Sequence, residues 1–245
     1  MAKDKKIIYG FHPVFEAIKR NKVTDVYISK NRKDRKIKAI ISESKKRNIK
    51  LHYVTAQTLE QLTGIKEHQG IAGKIGYEIK TKEYNLTFKE RVIVYLDHIM
   101  DPHNIGAIIR SGYFFGIETF LLPSRRGARI TETVYKSSAG AVSYVNIVYI
   151  NNPVQFLKKL KEKNYWLIGA DIRGDVDIDK FDFPEKCVLI FGNEEKGISK
   201  SIFNLLDFVI KIREANKFDS LNVSVSAGIV FYILHTRGTG DVSMT

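Results

Sequence analysis

The stretch VIVYLDHIMDPHNIGAIIRSG, residues 92–112, decides how this chain is read. Val92 to Leu96 are apolar without a break and Asp97 closes the run, which is the pattern of a strand buried on both faces. Asn104 and Gly106 then open a helix, GAIIRSGYFFG, in which Arg110 stands among apolar residues. Arg110 lies six residues beyond Asn104, about 600° of helical rotation, so the two side chains diverge around the axis. If both serve one site, Asn104 must precede the regular helix. The plain alternative is a capping Asn and a surface Arg.

Outward from this stretch the same alternation repeats. Further strands are expected at ETFLL (118–122), YVNIVYI (144–150), YWLIGAD (165–171), CVLIFG (187–192) and FVIKI (208–212). Helical patterns lie near 104–116, 131–139, 152–163, 199–206 and 221–236. That order predicts an α/β fold with a parallel sheet covered by helices. Before it, residues 1–76 read as a smaller α/β unit. Its helices are expected over Phe11–Ile18, 34–48 with Asp34 as the cap, and 55–64, and its strands at 25–29, 49–54 and 70–77. Residues 77–90 have no clean period and read as a linker, leaving 91–245 as the second domain. The tail after Thr236 is expected to fray.

The 245 residues are 44% hydrophobic and 27% charged, as in a globular chain, and no apolar run approaches the roughly 20 residues that span a bilayer. The N-terminus has no apolar signal core, so a cytoplasmic protein is expected. One cysteine, Cys187, excludes an internal disulfide framework, and six scattered histidines give no metal-ligand spacing. His98 and His103 read as local loop residues. The charge is uneven. Residues 1–50 hold 16 Lys and Arg against 5 Asp and Glu, a net of +11 out of +13 for the chain. Such concentration suits a polyanion, because each phosphate neutralised releases counterions. The plain alternative is a Lys-rich solvated surface.

In open parallel sheets, ligands bind beyond the carboxyl ends of the strands. After CVLIF comes GNEEKGIS (192–199), a turn framed by Gly192 and Gly197. A phosphate-binding loop would need Lys where Ile198 stands, so a nucleotide hydrolase is remote. The turn can grip a polar cofactor with backbone groups, or simply start a helix with acidic residues. After FVIKI, Ser220, Asn222, Ser224 and Ser226 open an otherwise apolar helix, as caps or as donors to a substrate.

Taken in order, NIGAIIRS (104–111), LIFGNEEKGIS (189–199) and SLNVSVSAGI (220–229) resemble the three motifs of the SpoU/TrmH branch of the SPOUT RNA methyltransferases. YGFHPVFEAI (9–18) and HQGIAG (68–73) resemble the substrate-binding domain of the rRNA ribose methyltransferases in that branch. The resemblance implies a C-terminal trefoil-knotted parallel sheet, which sequence physics alone would not suggest because threaded chains are rare. It implies a ribosomal-protein-L30e-like N-terminal domain that docks RNA, S-adenosylmethionine as cofactor, and a homodimer. It matches Asn104, Arg110, Glu194, Ser220 and Asn222 to the family's catalytic polar positions. It matches Gly192, Gly197, Ile212, Leu221 and Asn222 to a largely backbone cofactor cradle, with Ala170 at its margin. In such a dimer, Arg110 of one chain would stand beside the cofactor of the other. The expected reaction is 2′-O-methylation of a guanosine in the peptidyl-transferase region of 23S rRNA, with no DNA or membrane partner. A tRNA guanosine, a 23S rRNA adenosine and a non-enzymatic RNA-binding role are the alternatives.

Overall fold

The computed structural model describes residues 7–75, 88–215 and 220–238. The proposed linker is described only at residues 88–90, which form no regular element, and residues 239–245 of the tail lie outside the described residues.

The chain divides into two compact units. The first runs β1 (Ile7–Tyr9), α1 (Phe11–Lys19), β2 (Val23–Ser29), α2 (Arg35–Lys46), β3 (Lys50–Val54), α3 (Ala56–Thr63) and β4 (Ile71–Ile75). Its sheet has the order β1-β4-β2-β3. β4 is antiparallel to both neighbours, and β2 and β3 are parallel. Asp34 caps α2, its carboxylate accepting from the Lys36 and Ile37 amides at 3.0 and 3.2 Å. Ile37 and Ile40 face inward, and Lys36, Lys38, Lys45 and Lys46 stay on the outer side, so α2 carries much of the N-terminal charge. β1 is missing from the sequence reading, because three residues are too few to show a period.

The second unit begins with β5 (Val92–Asp97), α4 (Pro102–Phe114) and β6 (Thr119–Pro123). The chain then contributes Ile130–Tyr144, with α5 (Glu132–Ser137), to the first unit. There α5 packs on β1 and α1, and Gly140 approaches the backbone of His12. Arg20 lies over the Tyr144 ring at 4.0 Å. Periodicity placed this helix with the residues around it in sequence; its partners in space belong to the other unit. The second unit resumes with β7 (Asn146–Ile150), α6 (Pro153–Glu162), β8 (Trp166–Ala170), β9 (Val176–Asp177), β10 (Cys187–Gly192), α7 (Lys200–Phe203), β11 (Phe208–Lys211) and α8 (Val223–Gly238).

The second sheet has the order β7-β6-β5-β10-β8-β11-β9, and every pairing in it is parallel. Such an all-parallel sheet is typical of the SPOUT trefoil knot. β5 and β10 are central and buried along their lengths, as their continuous apolar runs require. On one face Leu157, Leu160, Ile198 and Ile202 cover Ile93, Val188 and Ile190. α4 and α8 pack against each other, and Phe231 of α8 meets Phe191 edge-on at 5.6 Å. Because the sheet is all parallel, the loops after β5, β6, β8, β10 and β11 open along one edge.

Candidate active site

Three segments far apart in sequence exchange hydrogen bonds at that edge. Asn104, in the first turn of α4, donates from Nδ2 to Glu194 Oε1 at 2.6 Å. Asn222, at the mouth of α8, donates from Nδ2 to Asn104 Oδ1 at 3.1 Å. The Asn222 carbonyl oxygen Oδ1 also accepts from the Ser224 amide and hydroxyl at 2.9 and 2.6 Å, so this residue caps α8 while reaching across to α4. Both readings of Asn222, cap and site residue, hold together. Glu194 and Asn222 are exposed, which leaves the junction open to a large substrate.

The Gly192–Gly197 turn is built by backbone contact. Asn193 and Gly197 exchange hydrogen bonds at 3.1 and 2.8 Å, closing the turn. Gly197 has φ +65°, and a Cβ on Gly192 would collide with the backbone of Gly197 and Ile198. Glycine is therefore required at 192 by close approach and favoured at 197 by the left-handed conformation. Asn193 Oδ1 accepts from the Glu195 and Lys196 amides at 3.0 and 3.2 Å, and its Nδ2 donates to the His98 carbonyl at 3.2 Å.

Behind the turn lies Asp97, 1% exposed. It accepts from the Tyr95 hydroxyl at 3.0 Å, from the Ser199 amide at 2.7 Å, and pairs with His98 Nδ1 at 2.7 Å. Burial, and then the Asp97 charge, push the Tyr95 phenol far above its ordinary value, so this hydroxyl stays a donor. Asp97 thus ties the loop that carries Asn104 to the loop that carries Glu194. His98 belongs to this tie, with φ +58° aiming its carbonyl at Asn193, and is more than a local loop residue. Asp171 does similar work beside β8. It binds the Arg173 guanidinium at 2.7 Å and accepts from the Ile198 amide at 3.3 Å. Burial alone would raise the Asp171 carboxyl; the hydrogen bonds from Arg173 and from the two amides outweigh it and hold the group below the usual carboxylate range. The sequence reading names none of Asp97, Asn193, Asp171 and Arg173 as a site residue. Asp97 and Asp171 had one visible signal: an acid closing an apolar strand at the ligand edge.

Glu194 also stands on the rim of a cavity of about 740 Å³. Ala170, Gly192, Gly197, Ile212, Leu221 and Ser220, all read from sequence as site residues, line it. Asn222 does not line it and lies at the polar junction instead. Apolar walls come from Ile178, Phe191, Ile210 and Val230. The volume falls in the range of small-molecule sites. Backbone edges, an apolar floor and a buried acceptor at Asp171 suit a nucleoside-like ligand. Among the described residues no group of His, Cys, Asp and Glu could hold a metal.

Arg110 does not join this set. α4 begins at Pro102, capped by Asp101, so Asn104 lies inside the regular helix and does not precede it. The helical rotation then carries Arg110 to an exposed face, without a hydrogen bond or ion pair among the described residues.

Residues 91–232 match the SpoU rRNA methylase family, and residues 7–77 match the substrate-binding domain of RNA 2′-O ribose methyltransferases. The chain belongs to the SpoU rRNA methylase family. It is 29% identical over 234 residues to the 23S rRNA (guanosine-2′-O-)-methyltransferase RlmB of Neisseria meningitidis, covering 93% of each chain. It is 37% identical over 214 residues to an uncharacterized tRNA/rRNA methyltransferase of Borreliella burgdorferi, covering 82% of this chain and 93% of that one. Among solved structures, the SpoU methyltransferase AviRb of Streptomyces viridochromogenes, crystallised with AdoMet, superposes with a TM-score of 0.83 at 20% identity. That match covers 96% of this chain and 91% of AviRb.

Proposed function

We propose that this enzyme, an S-adenosylmethionine-dependent RNA 2′-O-ribose methyltransferase, acts as a homodimer on one guanosine of 23S rRNA in the peptidyl-transferase region. The observation that carries the chemistry is the Asn104–Glu194–Asn222 junction on the rim of the cavity. The full-length likeness to RlmB and the concentration of charge in residues 1–50 support the RNA target.

The cofactor, when bound, supplies an electrophilic methyl group on a sulfonium. The turn at Gly192–Gly197, Ile212 and Leu221 would hold it by backbone edges, and the apolar floor would exclude water. Asn104, Glu194 and Asn222 fix the target ribose, since alignment of the attacking 2′-oxygen supplies several kcal/mol of the barrier reduction. Transfer to the 2′-oxygen would break the methyl–sulfur bond, leave the cofactor sulfur as a neutral thioether and release the hydroxyl proton to solvent. Arg110 is a poor base, because a guanidinium stays protonated up to a pH of about 12. Its fork of donors instead stabilises the developing alkoxide and holds the adjacent phosphate.

Arg110 reaches that position from a second copy. Its exposed face of α4 also shows Phe114, 80% exposed, and the partner helix α8 shows Val225 and Tyr232 at 49% and 56%. α8 is apolar on most sides, a pattern of a helix covered over most of its surface. A second copy on this face covers it and carries each Arg110 toward the other chain's cavity.

The test is transfer of labelled methyl to an unmodified 23S rRNA transcript, with bulk tRNA in parallel and mapping of the modified ribose. A single 2′-O-methylguanosine in the peptidyl-transferase region is expected. Label confined to tRNA, or on a 23S adenosine, overturns the target. No label on any RNA overturns the reading as a whole.

A further inference from the structure

A second group of cations sits on the ligand edge of the large sheet, apart from the polar junction. Beyond the end of β6 at Pro123, the loop SRRGAR (124–129) exposes Arg125, Arg126 and Arg129 within five residues. We propose that this loop is a phosphate grip for substrate RNA, holding the backbone of nucleotides beside the methylated ribose. The proposal rests on the RNA-methyltransferase reading and names a binding element within it.

The loop is shaped, not slack. Arg126 takes φ +54°, and Gly127 lies so close to Pro123 that a Cβ there would stand 2.5 Å from the Pro123 carbonyl oxygen. The Ser124 amide donates to the Ile150 carbonyl at 2.8 Å, and the Tyr149 hydroxyl donates to the Ala128 carbonyl at 3.4 Å. Ala128 and Ile130 are buried, which pins the far end. A bulky residue in the left-handed region persists only where its surroundings over-determine it. Here the surroundings fix the backbone and leave the guanidinium groups in solvent.

Among the described residues no acidic group answers their charge. Arg125 and Arg126 make no hydrogen bond or ion pair among the described residues, and Arg129 lies over the Tyr149 ring at 5.4 Å. Arg173, by contrast, is paired with Asp171. Three like charges held together by a rigid turn repel one another, and a polyanion relieves that repulsion.

The loop also stands in the right place. β6 pairs in parallel with β5, and β5 with β10. At about 4.8 Å between neighbouring strands, the ends of β6 and β10 lie roughly 10 Å apart along the edge. The SRRGAR loop therefore flanks the segment leading to Asn104 and is near the turn that carries Glu194. The residue type fits as well. Arginine binds phosphate oxygens in pairs, whereas the mostly lysine charges of α2 act as point charges. Phosphate contacts of this kind set register on the RNA without reading its sequence.

The experiment uses the full chain with Arg125→Gln and Arg126→Gln together. Binding of an unmodified 23S rRNA transcript is followed by filter retention as salt is raised. Each phosphate contact contributes about 0.7 to the slope of log affinity against log salt on single strands, so the double variant should lose about 1.4. Its affinity should fall about 25-fold at 0.1 M salt and converge with the unaltered chain toward 1 M. KM for RNA should rise with kcat nearly unchanged, while cofactor affinity and melting temperature stay as they are. Arg125→Lys with Arg126→Lys should recover most of the slope. An unchanged slope overturns the proposal. So does a lowered melting temperature with a binding loss that is independent of salt, which marks a structural loop. If the unaltered chain methylates no RNA, the activity reading fails separately, and the slopes still decide the loop.

Discussion

The polar junction and the α4–α8 face belong to the same two helices and behave oppositely. At the junction, Asn104, Glu194 and Asn222 satisfy one another within one chain across 90 and 118 residues of sequence. On the outer face, Arg110 is exposed without a hydrogen bond or ion pair among the described residues, and Phe114, edge-on to its neighbour Phe115 at 5.1 Å, is 80% exposed. One side of α4 is finished by folding and the other is not. Under the proposed function the site uses both sides, and a symmetric second copy is then the simplest source of the arginine.

The contrast can be broken first at the junction's foundation. Gly192→Ala forces a methyl group into the Gly197 backbone, so the turn must move; cofactor affinity by calorimetry should fall 100-fold or more, since displacements of about 1 Å cost that much at a preorganised site. Asn222→Ala removes the reach to Asn104 and the α8 cap together. Its kcat should drop about 100-fold, with a loss of about 1 kcal/mol in unfolding free energy from the cap and no change in RNA affinity. On the outer face, Phe114→Asp should weaken self-association about 30-fold in sedimentation, the effect of losing a central aromatic anchor, and cofactor affinity should stay the same.

The smallest effect concerns Asp171. Its carboxyl is held below the usual range in the folded chain, so ionised Asp171 stabilises the fold at neutral pH. The sign follows: that contribution is complete above the unfolded value of about 3.9 and is lost as pH falls through the lower folded value. Asp171→Asn should lower stability by about 1–2 kcal/mol at pH 7, and the gap to the unaltered chain should close below about pH 4 in urea titrations.

Much of this was legible in the residues. VIVYLD and CVLIFG announced central strands because both faces of such strands must be apolar. GNEEKGIS announced a tight turn because its glycines bracket it. β9, two residues long, carries no period at all. The partners of Ile130–Tyr144 were invisible because the neighbours of a short helix in space need not be its neighbours in sequence. The reading in which Asn104 opens or caps its helix failed: Asp101 caps α4 and Pro102 starts it two residues before Asn104. Asp97 escaped notice because an acid at a strand end reads as the start of a loop, and only the fold shows the Tyr95, His98 and Ser199 groups converging on it.

The direct test of a site shared between two chains is complementation. Chains carrying Arg110→Ala and chains carrying Asn222→Ala are each expected to be inactive alone. Mixed and allowed to exchange, half of the dimers should be hybrids with one intact site, restoring about a quarter of the unaltered methyl-transfer rate per chain. A mixture as inactive as its parents would place Arg110 and Asn222 in the same chain's site and contradict the account.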